Sequence, residues 1–260
     1  MIHPSLQFSL IFSLLAVCAC TSQVDDIQTP VVRSQTTSPG GIYFGKDSSQ
    51  NSTTGTPVIA LIDPTQNIRL YTQDGNYLLS GLYATTATNG FSAQARYFNL
   101  TDLTASPTTI NMVGSFEANS QVLANYTRSD NTAGSYNLAY QGTIYEQPSS
   151  LAAVAGKWVL QDSYGAIVTS FNIGGDGGLT GITSSPQCNY TGQVSIIDAR
   201  YNLYQLSLTE TCSGNNFSSA FNGLATVLPP SSSLGTSQKQ LALTASSSAS
   251  ARLFRLIPSS

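Results

Sequence analysis

Carboxylates are the side chains of this protein that are best suited to acid–base chemistry. Two of them placed about 5 to 9.5 Å apart could hydrolyse a glycosidic bond, one as the acid and the other as nucleophile or base. The candidates are Asp63, Asp102, Glu117, Asp130, Glu146, Asp162, Asp198 and Glu210. Their spacing favours no particular pair, so each is expected to be a solvated residue or a turn residue.

Two of the four cysteines lie near the amino terminus. Leu6 to Ala19 is an uncharged apolar run, long enough for a signal peptide but shorter than the about 20 residues of a membrane span. It ends in Val17-Cys18-Ala19-Cys20, which resembles the cleavage and lipidation site of bacterial lipoproteins. The resemblance implies that residues 1–19 are removed and that acyl chains on Cys20 anchor the protein in the cell envelope. Thr21 is not the Asp linked with inner-membrane retention, so the outer membrane is favoured; an ordinary secretory signal is the alternative.

The single histidine, His3, lies within this signal segment. The processed chain would have no imidazole, which excludes a Ser-His-Asp or Cys-His hydrolase and a His-ligated zinc site. Gly174 to Gly178 encloses one Asp, which favours a tight hairpin because calcium needs six or more oxygens. The sequence also has no P-loop and no dinucleotide fingerprint. We therefore predict no catalytic residues, no metal and no cofactor.

The other two cysteines, Cys188 and Cys212, lie in the body of the chain. In an oxidising compartment such a pair is expected to form a disulfide, here between neighbouring strands. Two buried free thiols are the alternative.

The composition limits the classes of partner. Hydrophobic residues make up 41% of the 260 residues, enough for a packed core. Charged residues are only 9% and the net charge is −3, against the usual quarter or so of charged residues. A neutral polar surface of this kind is typical of extracellular and outer-membrane proteins, and electrostatic binding of nucleic acid is excluded because there is no basic cluster.

Strand and turn patterns follow one another from Gly41 onwards. Asp74-Gly75 is typical of a hairpin turn, and the last strand of the first half is predicted over Tyr136 to Tyr145. Leu151 to Ala155 is the one candidate for a helical turn. The predicted organisation is a signal peptide (1–19), a lipid-anchored flexible tether (20–40), a first β unit (41–147), a linker (148–156) and a second β unit containing the disulfide (157–258).

The two β units echo each other. Gly41-Ile42-Tyr43-Phe44 parallels Gly156-Lys157-Trp158-Val159, and Val113-Gly114 parallels Asn222-Gly223. We interpret this as a weak tandem duplication of antiparallel meanders. The predicted fold class is all-β, with two barrel-like or sandwich units that are either separate or fused into one β body.

The Gly-Ile-Tyr-Phe-Gly start, the Asp-Gly turns, the Leu-Ala-Ala-Val-Ala-Gly linker and Cys188-Asn189-Tyr190-Thr191-Gly192 together resemble a loose group of uncharacterised, β-rich bacterial envelope lipoproteins. The resemblance covers most of residues 41 to 257. It carries strand and turn signals but implies no catalytic residues.

The function expected from these features is a non-catalytic, membrane-anchored interaction module for an envelope or extracellular protein or glycan, in a surface, accessory or immunity-type role. One alternative is a lipocalin-like carrier, with strand aromatics lining a lumen for a small apolar ligand. A glycan hydrolase with two carboxylates is the other.

Overall fold

The protein folds into two closed antiparallel barrels of eight strands each, one after the other along the chain. The structure is a computed structural model and describes residues 38–49, 54–86, 88–213, 218–231 and 236–259. The prediction of an all-β fold with two tandem units is confirmed, and both units are barrels. Cys20 and most of the predicted tether lie outside the described residues.

Barrel 1 is a simple meander whose last strand pairs with its first. Its strands are β1 (Gly41–Ser49), β2 (Thr56–Ile62), β3 (Asn67–Thr72), β4 (Tyr77–Thr85), β5 (Gly90–Asn99), β6 (Thr108–Glu117), β7 (Gln121–Arg128) and β8 (Ala133–Tyr140). Buried and exposed residues alternate along β5, β6 and β7, because one side of each strand fills the barrel and the other faces solvent. Nearly all of β2 and β3 is buried, because barrel 2 covers their outer faces.

Two one-turn helices, α1 (Gly142–Tyr145) and α2 (Leu151–Val154), connect the barrels. Barrel 2 repeats the meander with β9 (Gly156–Gln161), β10 (Ile167–Ile173), β11 (Gly178–Ser184), β12 (Gln187–Ile196), β13 (Tyr204–Cys212), β14 (Ser218–Leu228), β15 (Gln240–Ser246) and β16 (Ala251–Pro258). The helical turn expected at Leu151 is α2. The strand expected over Tyr136 to Tyr145 is wrong in its second part: β8 ends at Tyr140, and the chain turns into α1 to reach the second barrel.

Both barrels have packed interiors. Leu70, Leu79 and Met112 belong to the core of barrel 1. In barrel 2, Trp158 is 2% exposed and its indole N–H donates to the carbonyl of Val154 at 2.7 Å, so the only tryptophan is a core residue.

A third core lies between the two barrels. It joins the outer faces of β2–β4 to those of β14–β16, and its buried members are Ile42, Ile59, Leu61, Tyr71, Leu78, Phe98, Ile144, Tyr145, Leu203, Leu224, Leu228, Ala242 and Ala251. Polar contacts cross the same junction: the hydroxyls of Ser80 and Ser246 lie 2.6 Å apart, and the guanidinium of Arg69 donates to the carbonyl of Asn222 at 3.4 Å. The two units are therefore fused into one β body.

The sixth strand of each barrel carries a glycine at a matching place. A Cβ on Gly114 in β6 would overlap the carbonyl of Leu123 in β7, and a Cβ on Gly223 in β14 would overlap that of Thr244 in β15. Only glycine permits such a close approach of neighbouring strands. This correspondence supports the tandem duplication inferred from Val113-Gly114 and Asn222-Gly223.

Candidate functional site

Most of the eight candidate carboxylates hold turns. Asp63 is fully buried, and its two oxygens accept hydrogen bonds from the backbone and side chains of Thr65 and Asn67 at 2.7–2.9 Å. Asp162 caps the β9–β10 turn through the amides of Tyr164 and Ala166. Asp102, Glu117 and Asp130 make similar short-range contacts. The Gly174 to Gly178 segment is the β10–β11 hairpin, with Asp176 accepting from the amide of Gly178.

Glu210 lies inside the mouth of barrel 2, next to the Cys188–Cys212 disulfide, which joins directly opposed residues of β12 and β13. Its carboxylate accepts from the hydroxyl of Tyr190 at 2.8 Å and from two nitrogens of Arg252 at 2.9 and 2.5 Å. The ligand atoms of Cys188, Glu210 and Cys212 lie within 4.8 Å of one another. Because the sulfurs are bonded together and Glu210 is paired with Arg252, we assign this cluster a structural role.

Asp47 lies in the corresponding mouth of barrel 1 and was not among the predicted candidates. It is 8% exposed and accepts from the hydroxyls of Tyr77 at 2.6 Å and Tyr126 at 2.9 Å. Burial, together with Asp47, raises the pKa of both tyrosines far above the ordinary range. The alternation of Tyr43, Gly45 and Asp47 along β1 could have indicated that this carboxylate faces inward.

Glu146 and Asp198 are the two predicted candidates that meet in one cleft. It lies between the α1 end of barrel 1 and the β12–β13 connection of barrel 2, with a cavity of about 190 Å³. We call it the tyrosine cleft and define it by Tyr140, Tyr145, Glu146, Asp198, Arg200 and Tyr201.

Aromatic rings form the walls of the tyrosine cleft. Tyr145 and Tyr201 stack almost parallel, with ring centroids 4.5 Å apart and an interplanar angle of 6°. Tyr140 meets Tyr145 edge-on at 6.0 Å. The guanidinium of Arg200 lies over the ring of Tyr201, 5.2 Å from its centroid. The rings therefore hold one another in place: Tyr145 is buried, and the partly exposed rings of Tyr140 and Tyr201 provide the aromatic surface of the cleft.

Polar groups surround these rings. The hydroxyl of Tyr140 donates to Glu146 at 3.0 Å. Arg200 and Asp198 form a bidentate ion pair, whose Nη2–Oδ2 distance is 2.7 Å. The hydrogen bonds from Arg200 lower the pKa of Asp198, which favours its ionised form. Burial raises the pKa of Tyr140 and Tyr145 above the usual range for a phenol, so both remain neutral hydrogen-bonding groups.

The cleft is positioned by Asn202, which is 7% exposed and ties the β12–β13 connection to α1 and β14. Its side-chain nitrogen donates to the carbonyls of Ile144 at 3.2 Å and Val227 at 2.7 Å, and its backbone N–H donates to Tyr145 at 2.8 Å. The hydroxyl of Ser149 donates to the carbonyl of Asp198 at 3.0 Å. These bonds fix the two halves of the cleft relative to each other.

The strand aromatics mainly pack the cores. Tyr43, Tyr71, Tyr204 and Phe221 are almost completely buried, whereas Tyr201 is partly exposed in the cleft. No local pattern indicated the pairing of Tyr145 with Tyr201, because this pairing depends on how the two barrels pack.

No protein-family model, curated protein or solved structure matches this chain. Within the residues that the structure describes, no helix has the length and apolar character needed to cross a bilayer. The function is therefore inferred from the residues of the chain itself.

Proposed function

We propose that this protein is a non-catalytic, lipid-anchored interaction module of the bacterial envelope, and that the tyrosine cleft binds a glycan. The observation that carries the proposal is the cleft itself, where aromatic rings, a carboxylate–hydroxyl pair and an Arg–Asp pair share one concave surface. Aromatic faces suit the C–H faces of sugar rings, while the polar groups suit their hydroxyls. The side chains packed inside both barrels disfavour a carrier with an open lumen.

The size of the cleft indicates what it can hold. Sites that enclose a drug-sized ligand measure roughly 300–1,000 Å³, and the cleft measures about 190 Å³. It would enclose a single sugar ring, with the rest of the glycan lying on the surface.

The proposed anchor places the cleft near the membrane. Ser38, the first described residue, lines the cleft, and its hydroxyl lies 3.0 Å from that of Tyr83. If Cys20 carries the lipid, a segment of 17 residues (21–37) links it to Ser38. Seventeen residues reach at most about 60 Å, whatever their conformation. The glycan would then belong to the envelope itself, met close to the bilayer.

A glycan array probed with the detergent-purified full chain tests the binding proposal. Tyr201→Ala should weaken binding by a factor of about 2 to 13, since a stacking contact contributes roughly 0.5–1.5 kcal/mol, and Glu146→Gln should also weaken it. Tyr164→Ala is the matched control, because Tyr164 is 95% exposed in the β9–β10 turn. Equal binding by wild type, Tyr201→Ala and Glu146→Gln would contradict the assignment of the cleft.

The anchor has a separate test. Metabolic labelling with a fatty-acid analogue should label the wild type and a Cys18→Ala variant but not Cys20→Ala. Label retained on Cys20→Ala and lost from Cys18→Ala would move the lipidation site.

Glycan hydrolysis is the second candidate function, because Glu146 and Asp198 line the same cleft. Because Arg200 favours the ionised form of Asp198, the role of the acid would fall to Glu146. Release of shortened glycans by the wild type but not by Glu146→Gln would favour the hydrolase; bound glycan that stays intact would favour the binding module.

A further inference from the structure

The two barrels close differently. In barrel 1, β1 and β8 are paired at seven positions, from Tyr43↔Tyr140 to Ser49↔Gly134. In barrel 2, β9 and β16 are paired at only two positions, Ile257↔Val159 and Pro258↔Trp158. Beyond Val159 the two strands separate, and the ladder between them stops.

A β-bulge marks the place where they separate. The pairing of β9 with β10 shifts register between Ile167 and Thr169, opposite Gln161 and Leu160. A bulge bends the strand pair and increases its twist, and bulges are common at barrel rims. The bulge therefore gives a local cause for the divergence of β9 from β16.

The backbone of Gln161 faces the gap. The N–H of Asp162 donates to Ala166 on the β10 side, whereas the carbonyl of Lys157 accepts from Ser259 on the β16 side. Successive residues of a strand direct their N–H and C=O groups to opposite sides, so Lys157, Val159 and Gln161 face β16. By the same alternation from Ile257, the backbone groups of Arg255 and Leu253 face β9. Gln161 and Arg255 would be the next hydrogen-bonded pair, and the ladder does not include them.

A groove with a cavity of about 550 Å³ lies over this gap. Leu253 and Ile257 are partly exposed and provide apolar surface along it, and the barrel 1 hairpin at Asp74-Gly75 forms a wall. We call it the seam groove. The buried Nε of Arg255, which also lines the groove, has no hydrogen-bond partner.

We propose that the seam groove binds an extended peptide segment of a partner protein, which adds as a strand to the open edges of β16 and β9. The N–H and C=O groups that face the gap from β9 and β16 can bind the backbone of a peptide in strand conformation. This is the basis of recognition by β-strand addition. Apolar side chains of the peptide would pack on Leu253 and Ile257. Among the described residues that line the groove, the carboxylates of Asp74 and Asp162 outnumber the one guanidinium, that of Arg255, and so favour a peptide that carries a Lys or Arg.

This surface is separate from the tyrosine cleft, so its test is independent of the proposed function. A phage-displayed library of random peptides of about 10 residues, enough for one strand, is selected on the full chain. Enriched peptides should have alternating apolar positions with a basic residue. When bound, they should slow hydrogen–deuterium exchange at the amides of Gln161, Leu253 and Arg255.

Gln161→Pro removes the N–H that faces the gap, and the ladder to β10 does not use it. This variant should bind the selected peptides at least tenfold more weakly, whereas the matched Gln161→Ala variant, which keeps the N–H, should bind them normally. If Gln161→Pro does not fold, the exchange measurement on the wild type decides. The proposal is overturned if no peptide is enriched, if the peptides protect none of the three amides, or if Gln161→Pro binds as well as Gln161→Ala.

Discussion

The buried ion pair of barrel 2 gives the sharpest prediction about stability. Glu210 and Arg252 form a bidentate pair whose side chains are 7% and 21% exposed. Burial alone would lower the pKa of Arg252, but the hydrogen bonds and charge of Glu210 outweigh it and raise that pKa. Arg252→Met removes the cation and leaves the carboxylate of Glu210 inside the barrel with the Tyr190 hydroxyl as its remaining side-chain donor.

The size of the effect follows from burial. Removing one partner of a fully buried pair costs about 3–5 kcal/mol, because the other charge remains uncompensated. Arg252 is about one-fifth exposed, so we expect Arg252→Met to lower the free energy of unfolding by about 2–4 kcal/mol. For a protein of this size, that corresponds to a fall in melting temperature of about 4–16 °C. The double variant Arg252→Met/Glu210→Leu should recover most of the loss, because no buried charge is left.

Urea unfolding followed by tryptophan fluorescence measures the effect directly, since Trp158 lies in the core of the same barrel. The control is Arg200→Met, which breaks an exposed pair (75% and 29%) and should leave the urea midpoint nearly unchanged. If Arg252→Met were as stable as Arg200→Met, or if the double variant were less stable than Arg252→Met, the argument from burial would be refuted.

Three further predictions concern the tyrosines, the disulfide and the junction. Burial raises the pKa of Tyr190 to about 12 and also raises that of Tyr43 and Tyr71. As the pH rises, these tyrosines lose their protons in the unfolded chain before they do so in the folded chain. The free energy of unfolding should therefore be constant below pH 10 and fall as the pH rises towards 12. Urea midpoints from pH 8 to 12 check this, and a constant midpoint would contradict it. Replacing both Cys188 and Cys212 by Ser should lower the free energy of unfolding by roughly 3.5 kcal/mol, because the disulfide closes a loop with a sequence separation of 24. The same unfolding assay measures this change. A change below about 1 kcal/mol would count against a stabilising disulfide. Burial lowers the pKa of Arg69 to about 10, which means that its charge is costly to bury. Arg69→Met should therefore unfold at an equal or higher urea concentration than the wild type. A clearly lower midpoint would show that the hydrogen bonds of Arg69 outweigh the cost of its buried charge.

Local patterns predicted the local structure well. Alternating residues and Asp-Gly turns correctly indicated strands and hairpins, because pleating and turn geometry are properties of neighbouring residues. The disulfide between Cys188 and Cys212 and the tandem arrangement were also predicted. The predicted strand over Tyr136 to Tyr145 was wrong in its second part for a physical reason. The residue types from Gly142 to Tyr145 favour a strand, but the chain must turn there to pass from one barrel to the other.

The long-range features could not be read from the sequence. The stacking of Tyr145 on Tyr201 brings together residues from different barrels, and Asp47 meets Tyr126 across barrel 1. The short pairing of β9 with β16 joins the first and last strands of barrel 2, which are far apart in the sequence. Each depends on closure and packing of whole sheets, for which a local hydrophobic period carries no information.

The core between the barrels has a consequence for biogenesis. On the proposed export route, barrel 1 emerges from the membrane before the strands that cover it have been translocated. Until β14–β16 arrive, Leu61, Tyr71 and Leu78 would face water, and residues of this kind attract chaperones and other unfinished chains. If the chain is exported as proposed, its folding should therefore depend on a holding factor outside the cytoplasm until the carboxy-terminal half has been translocated.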